Sequence, residues 1–245
     1  MLTTRIFRPT LNAGQVYARA YGAAFALQSI GGLSELQLGI DEDIKKQADY
    51  SRAGGGTRAQ VNRIKAVTMK LKMQDLNPVN LARGIFGNTA EIAGATVTDE
   101  VVKIYKGGLT RLAHLNPSTL SVKKGATTIA PANYEVRPEG LCVYDAAADA
   151  VDGDDWKVTY THSGYDVIEA LTQTAPTLEL LFAGVNEAGS GDTSTVDLFR
   201  VRTGAMKNWG LINNDFAELE IEGEVLLDPT KVGVGLSKFF KVRMA

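Results

Sequence analysis

The chain has one cysteine, Cys142, so it cannot close an internal disulfide. A cytosolic, reducing site of synthesis is the simplest reading of that scarcity. Cys142 itself reads as a small, partly buried apolar residue in a strand. Histidine is nearly as rare, with His114 and His162 the only two. Neither has a second histidine or a cysteine at metal-binding spacing, so the pattern argues against zinc, and both read as surface or turn residues. Charge of one sign is missing too. Lys and Arg number 26 against 28 Asp and Glu, a net charge of −2 that offers no basic excess to recruit nucleic acid. That leaves open a protein that sits near DNA without gripping it. No apolar run approaches the ~18 residues of a membrane-spanning helix, and no membrane insertion is expected. Near the start, Ala23 to Leu27 form a short apolar run. Gln15, Arg19 and Tyr21 interrupt the region where a leader's apolar core would form, so the segment reads as structure and not as an address.

Catalytic and cofactor patterns are equally sparse. Gly54, Gly55 and Gly56 invite comparison with a phosphate loop, but Thr57 is followed by Arg58 and the Lys-Ser/Thr step is missing. "DGDD", Asp152 to Asp155, carries charge for calcium but lacks the spaced ligands of a binding loop. "SVKK", Ser121 to Lys124, has a serine and a lysine three apart. That pattern works in a helix; in a strand it puts the two side chains on opposite faces. No nucleophile–base pair and no metal cluster emerges, so the chain is not read as an enzyme and no cofactor is expected.

What the sequence has is alternation and glycine. In "AVTMKLKMQD", Val67, Met69, Leu71 and Met73 alternate with polar residues, which predicts a strand with one buried and one wet face. "SELQLGID" puts Leu36, Leu38 and Ile40 on one face and Glu35, Gln37 and Gly39 on the other. These two strands are expected to pair as a long hairpin whose tip is residues 42–63, a charged, glycine-rich stretch longer than turn geometry requires. In "NPVNLARGIFGN", Asn77 suits a cap, Pro78 the first helical turn and Gly87 the stop, with Leu81, Ile85 and Phe86 on one side. From about 96 to 170, short β-rich runs broken by turn signals predict a small sandwich-like module. Longer strands return with "TLELLFAGVN", "STVDLFRVRTGAM" and "FAELEIEGEVLLDP". In the last, Leu219, Ile221, Val225 and Leu227 face inward, while Glu218, Glu220, Glu222 and Glu224 form an outward row of like charges. Such a row is usually a solvated face. Read functionally, its mutual repulsion would suit a surface that DNA slides past.

This succession resembles the major tail tube proteins of long-tailed bacteriophages with non-contractile tails. The residues that carry the resemblance are the hairpin "LSELQLGIDEDIKKQADYSRAGGGTRAQVNRIKAVTMKLKMQD" followed by "LNPVNLARGIFGN". The later "LELLFAGVNEAGSGDTSTVDLFRVRTGAM", "AELEIEGEVLLDP" and "GLSKFFKV" carry it too. The resemblance implies a mainly β fold: a β-sandwich core at 1–95 and 171–245, contributing to an inner β-barrel and flanked by one short helix. Residues 96–170 depart from the family pattern and are expected to form an inserted, β-rich decoration domain. The implied role is a structural subunit of stacked hexameric rings, a hollow tube through which DNA passes during ejection without specific binding. The implied inter-subunit arm is Asp49, Tyr50, Ser51, Arg52, Gly54, Gly55, Gly56, Thr57 and Arg58. Glu218, Glu220, Glu222 and Glu224 are the implied lumen-lining residues. Partners would be copies of the chain, a tape measure protein, and tail tip and tail terminator proteins. The implied location is the virion tail, after synthesis in the host bacterial cytoplasm.

The physics of strand edges points the same way, because an unpaired edge must be paired or covered, and head-to-tail assembly does this between copies. An alternative reading is a glycan-binding or adhesive β module, with Tyr105, Tyr134, Tyr144, Trp156 and Tyr160 as its aromatic residues.

Overall fold

The computed structural model describes residues 9–51, 53–188, 191–212 and 214–245. The protein is mainly β, and the chain divides into two compact units. The first takes in the described residues up to Asn88 together with Ile168–Ala245; the second is Thr89–Val167.

The first unit opens with β1 (Asn12–Ala20), β2 (Gln28–Ser29), β3 (Leu33–Ala48), β4 (Thr57–Met73) and helix α1 (Pro78–Gly84). Next come β5 (Asn88–Ile92), β6 (Ala95–Lys103), β7 (Leu109–Arg111), β8 (Ser118–Lys124), β9 (Thr127–Thr128), β10 (Tyr134–Arg137), β11 (Gly140–Val143), β12 (Asp155–His162) and β13 (Tyr165–Glu169), all in the second unit except Asn88, Ile168 and Glu169 at its two margins. The chain then returns as β14 (Thr177–Asn186), β15 (Thr193–Met206), β16 (Leu219–Val225) and β17 (Phe240–Met244).

In the first unit the strands form one sheet in the order β2-β1-β14-β15-β16-β4-β3, with β17 also on β15. It is an open sheet and not a closed barrel: β3 and β1 are not hydrogen-bonded neighbours. Alternation explains its single apolar face. Val67, Met69, Leu71 and Met73 of β4 are buried together with Leu219, Ile221 and Val225 of β16, Leu198 and Val201 of β15, Leu178 and Leu180 of β14, and Val16 of β1. β16 and β17 share one lane along β15. Val225 pairs with Val201 and Phe240 with Leu198, and between them the chain makes an excursion over residues 227–239. Leu227, expected to face inward, is therefore exposed at the start of that excursion.

Helix α1 begins where its cap predicts, with the Asn77 side chain accepting a hydrogen bond from the Asn80 backbone N–H at 2.8 Å. It ends at Gly84, and Phe86 takes a left-handed φ of 51° before Gly87 is reached. The expected apolar side, Leu81, Ile85 and Phe86, is only half-buried, and the buried face is Asn80, Ala82 and Gly84. Gly84 sits so close to Leu219 that a Cβ there would lie 2.9 Å from its Cδ2. Asn80 is buried because its Nδ2 donates to the backbone carbonyls of Ile30 and Asp75, at 2.7 and 3.1 Å.

In the second unit, a four-stranded sheet (β6-β12-β8-β9) and a three-stranded sheet (β10-β11-β7) contribute to one core. Trp156, Val158 and Tyr160 of β12 meet Val122, Leu141 and Val143 there. β5 and β13 pair with each other.

Candidate assembly surfaces

The hairpin differs from its sequence expectation in one instructive way. Residues 42–63 are not a long tip: pairing continues to Ala48 opposite Thr57, so the turn is residues 49–56 alone. Part of the charged composition that reads as loop is matched within the ribbon, with Asp43 also 3.3 Å from Lys45 of its own strand. Asp43 lies opposite Arg63, and the Asn62 amide donates to Glu42 at 3.1 Å. At the turn, Asp49 accepts hydrogen bonds from the backbone N–H and hydroxyl of Ser51, at 2.9 and 2.5 Å. These bonds hold its carboxyl below the usual range. Gly54, Gly55 and Gly56 take φ of 106°, 65° and 150°, values that favour glycine. Tyr50 is 91% exposed, Thr57 and Arg58 open β4, and Arg52 lies outside the described residues.

This hairpin outruns its sheet. β16 covers β4 only as far as Glu224 opposite Thr68, so among the described residues Thr57–Val67 pair with β3 alone. At about 3.3 Å per residue, these eleven residues span roughly 35 Å. A bulge leaves Lys65 without an opposite number and turns Ile64 onto the face of Ile40 and Ile44. On that face the core side chains Leu71, Met69 and Val67 run out into Ile40, Ile44 and Ile64, which are 55%, 45% and 57% exposed. An isolated two-stranded hairpin is marginal in water, and this one presents an uncovered apolar face.

The opposite face of the sheet is charged. Glu220 lies opposite Lys72, Glu222 opposite Lys70 and Glu224 opposite Arg202. Lys70 Nζ is 3.3 Å from Glu220, Lys72 Nζ 3.1 Å from Glu35 and Lys207 Nζ 2.5 Å from Glu222. The Gln74 amide donates to Glu218 at 3.4 Å. Glu35, with help from Glu220 and Glu218, holds the Lys72 ammonium above its ordinary range despite some burial. The four glutamates thus share one face, but the repulsion expected of a solitary acidic row is offset by cations from β4 and β15. Only the register supplies those cations.

Along the seam between β1 and β3 runs an open groove of about 570 Å³, lined by Gly14, Val16, Leu36, Leu38, Phe182 and Val196 among others.

A family model described as "Protein of unknown function UCP028589" matches residues 9–243. The chain belongs to that family. No curated protein matches it. The match runs through both units, so neither is foreign to the family.

Of the two histidines read as surface or turn residues, His114 does lie in a turn, and His162 is corrected. His162 ends β12 and is buried, His114 lies in the turn after β7, and the two rings stack. His114 Nδ1 is 3.0 Å from the Tyr165 hydroxyl, and His162 Nδ1 is 3.0 Å from the Ser163 carbonyl. Beside them Tyr160 donates to Glu100 at 2.6 Å. No sequence spacing announces this cluster, because four separate segments build it. A metal bound through a ring nitrogen lies in that ring's plane, so one ion cannot be ligated by two parallel stacked rings. Among the described residues no group of three or more His, Cys, Asp or Glu side chains could hold a metal ion. The "DGDD" carboxylates are engaged elsewhere: Asp152 accepts from the Lys106 N–H, Asp154 from Lys124 and Asp155 from Lys103. Ser121 and Lys124 both lie in β8, three residues apart in a strand. Of the five aromatic residues considered for a binding platform, Tyr134, Trp156 and Tyr160 are in the core, and Tyr105 and Tyr144 face outward. Cys142 is half-buried in β11.

Proposed function

We propose that this chain is a structural subunit that polymerises with copies of itself into a hollow tube, the role its resemblance to phage tail tube proteins implies. The observation that carries this reading is the β3–β4 hairpin, which extends past its sheet with an apolar face left exposed and, among the described residues, no strand neighbour on either margin. Edges of this kind are satisfied by another strand or cover. A neighbouring copy meets that need for every subunit at once, and repeated head-to-tail contact yields rings or filaments.

The charged face supports the second half of the reading. Glu35, Glu218, Glu220, Glu222 and Glu224 set five carboxylates against the four cations Lys70, Lys72, Arg202 and Lys207. The excess is one negative charge, and phosphates gain no basic strip to bind. A bore lined by this face would let DNA pass without holding it. In this reading the arm reaches a neighbour in a stacked hexameric ring, the tube ends meet tape measure, tip and terminator proteins, and the virion tail is the location. The second unit is an added decorating module.

Electron microscopy of the concentrated protein tests this directly. Rings or tubes are expected, and deletion of residues 50–58 should leave the fold intact and abolish stacking. A protein that stays monomeric even with a tail-tip initiator would overturn the reading. The glycan-binding alternative rests on the outward Tyr105 and Tyr144; a glycan array probed with the whole chain decides it.

A further inference from the structure

β17 continues the lane of β16 along β15. Both run antiparallel to β15, with Val225 opposite Val201 and Phe240 opposite Leu198. β4 is the next strand beyond β16, and past Thr68 it runs on beside the lane of β17. Among the described residues Thr57–Val67 bond to β3 alone, and β17 to β15 alone. The sheet therefore forks. Its two prongs, the β3–β4 hairpin and β17, continue neighbouring lanes in antiparallel directions and leave their facing margins bare.

The register across the fork follows from the pairs that flank it. Val67 is level with Val225, one step past Glu224 opposite Thr68. From Val201 to Leu198, β15 takes three residues where β14 takes two, from Leu178 to Leu180. β4 has one extra residue of its own, at the Lys65 bulge. The two offsets cancel, so closure would set Phe240 opposite Ile64, Lys241 opposite Arg63 and Val242 opposite Asn62. The faces agree with that count. Phe240 packs against the core beside buried Leu198, and Ile64 belongs to the exposed apolar face of the hairpin. Lys241 and Arg63 fall on the charged face.

Apolar contact favours closure and charge opposes it. Thr57–Val67 carry Arg58, Arg63 and Lys65, Phe240–Met244 carry Lys241 and Arg243, and neither stretch has a carboxylate. The neighbouring carboxylates stand one strand further out on either side. Asp197 of β15 is held by Arg243, and Asp41, Glu42 and Asp43 lie on β3 together with Lys45 and Lys46. Like charges directly opposite destabilise a strand pair, and charged side chains on edges keep them from joining. We propose that the β3–β4 hairpin is a strap that closes on β17 of its own chain, and that Arg63 facing Lys241 holds it open. Closed, the strap withdraws the free margin of β4 from any neighbour. Both margins belong to one molecule, so the inference does not depend on assembly between copies.

The dilute, full-length chain tests it in two ways. In a Cys142→Ser background, Asn62→Cys combined with Val242→Cys should form an intrachain disulfide under mild oxidation, since opposite residues of paired strands bring their Cβ atoms to about 4.5–5.5 Å. Absence of that bond overturns the closure. Backbone hydrogen exchange then reads the latch. Lys241→Glu should slow exchange at Phe240–Met244 by about fivefold, because it turns the repulsion across the fork into attraction. Adding Arg63→Glu should return the rate to that of the parent chain, as like charges face each other again. Unchanged exchange in Lys241→Glu, or exchange that stays slow in the double variant, overturns the charge latch.

Discussion

The imidazole rings of His114 and His162 lie parallel, with centroids 4.0 Å apart and planes 3° from parallel. Tyr165 meets both rings near edge-on, at interplanar angles of 72° and 69°. The cluster therefore works as packing, joining the end of β12 to the turn after β7 and the start of β13.

His162→Ala should lower the stability of the second unit by about 1–3 kcal/mol, since it empties a buried ring site. Zinc added to the parent protein should not raise the melting temperature. A rise of several degrees at micromolar zinc would show that the rings separate to ligate an ion.

Alkali should loosen the same unit. Burial, and then the hydrogen bond to Glu100 and its charge, push the Tyr160 phenol well above its ordinary value of 10.0. Ionisation is therefore disfavoured in the folded state. The stabilisation is complete below pH 10 and falls as the pH climbs above it, while the unfolded chain ionises freely. Urea midpoints measured from pH 8 to 11 should drop toward the alkaline end. Tyr160→Phe should flatten that slope, because it removes the titrating group while keeping the ring.

Gly14→Ala should break the junction of β1 and β14. Gly14 lies opposite Gly184, and a Cβ at position 14 would stand 2.3 Å from the Ala183 carbonyl oxygen and 2.9 Å from the Phe182 ring. Backbone must move, at a cost of about 1–3 kcal/mol. Chemical denaturation reads the loss, and Ala13→Gly nearby should show a much smaller one.

The charged face makes a salt-sensitive prediction. Lys72→Glu puts a fifth carboxylate among Glu35, Glu218, Glu220 and Glu222 and should destabilise the fold, more at low ionic strength than at high. The exchange of partners, Lys72→Glu with Glu35→Lys, should recover most of the loss. Thermal melts in 20 mM and 500 mM salt, taken here as about the two ends of useful screening, measure both effects.

Much of the local structure is legible in the chain. Val67, Met69, Leu71 and Met73 alternate and are buried; Asn77 and Pro78 start the helix they announce. The errors have a common origin. Residues 42–63 read as loop because the stretch is charged and glycine-rich, yet Asp43 opposite Arg63 and Glu42 near Asn62 suit a two-stranded ribbon. The helix side read as apolar, Leu81, Ile85 and Phe86, is only half-buried, because the burial of Asn80 depends on carbonyls of Ile30 and Asp75 that helical periodicity does not register. The His114–His162 stack joins residues 48 positions apart.

By itself, then, the sequence determined the strands, the helix start, the glycine turn and the near-neutral charge, because each follows from neighbours a few residues away. Tertiary structure alone decided which cations face Glu218 to Glu224, where β4 loses its second neighbour and which apolar residues stay uncovered. Those outcomes depend on the register between distant strands, and register is an energy of pairs that no single stretch of chain contains.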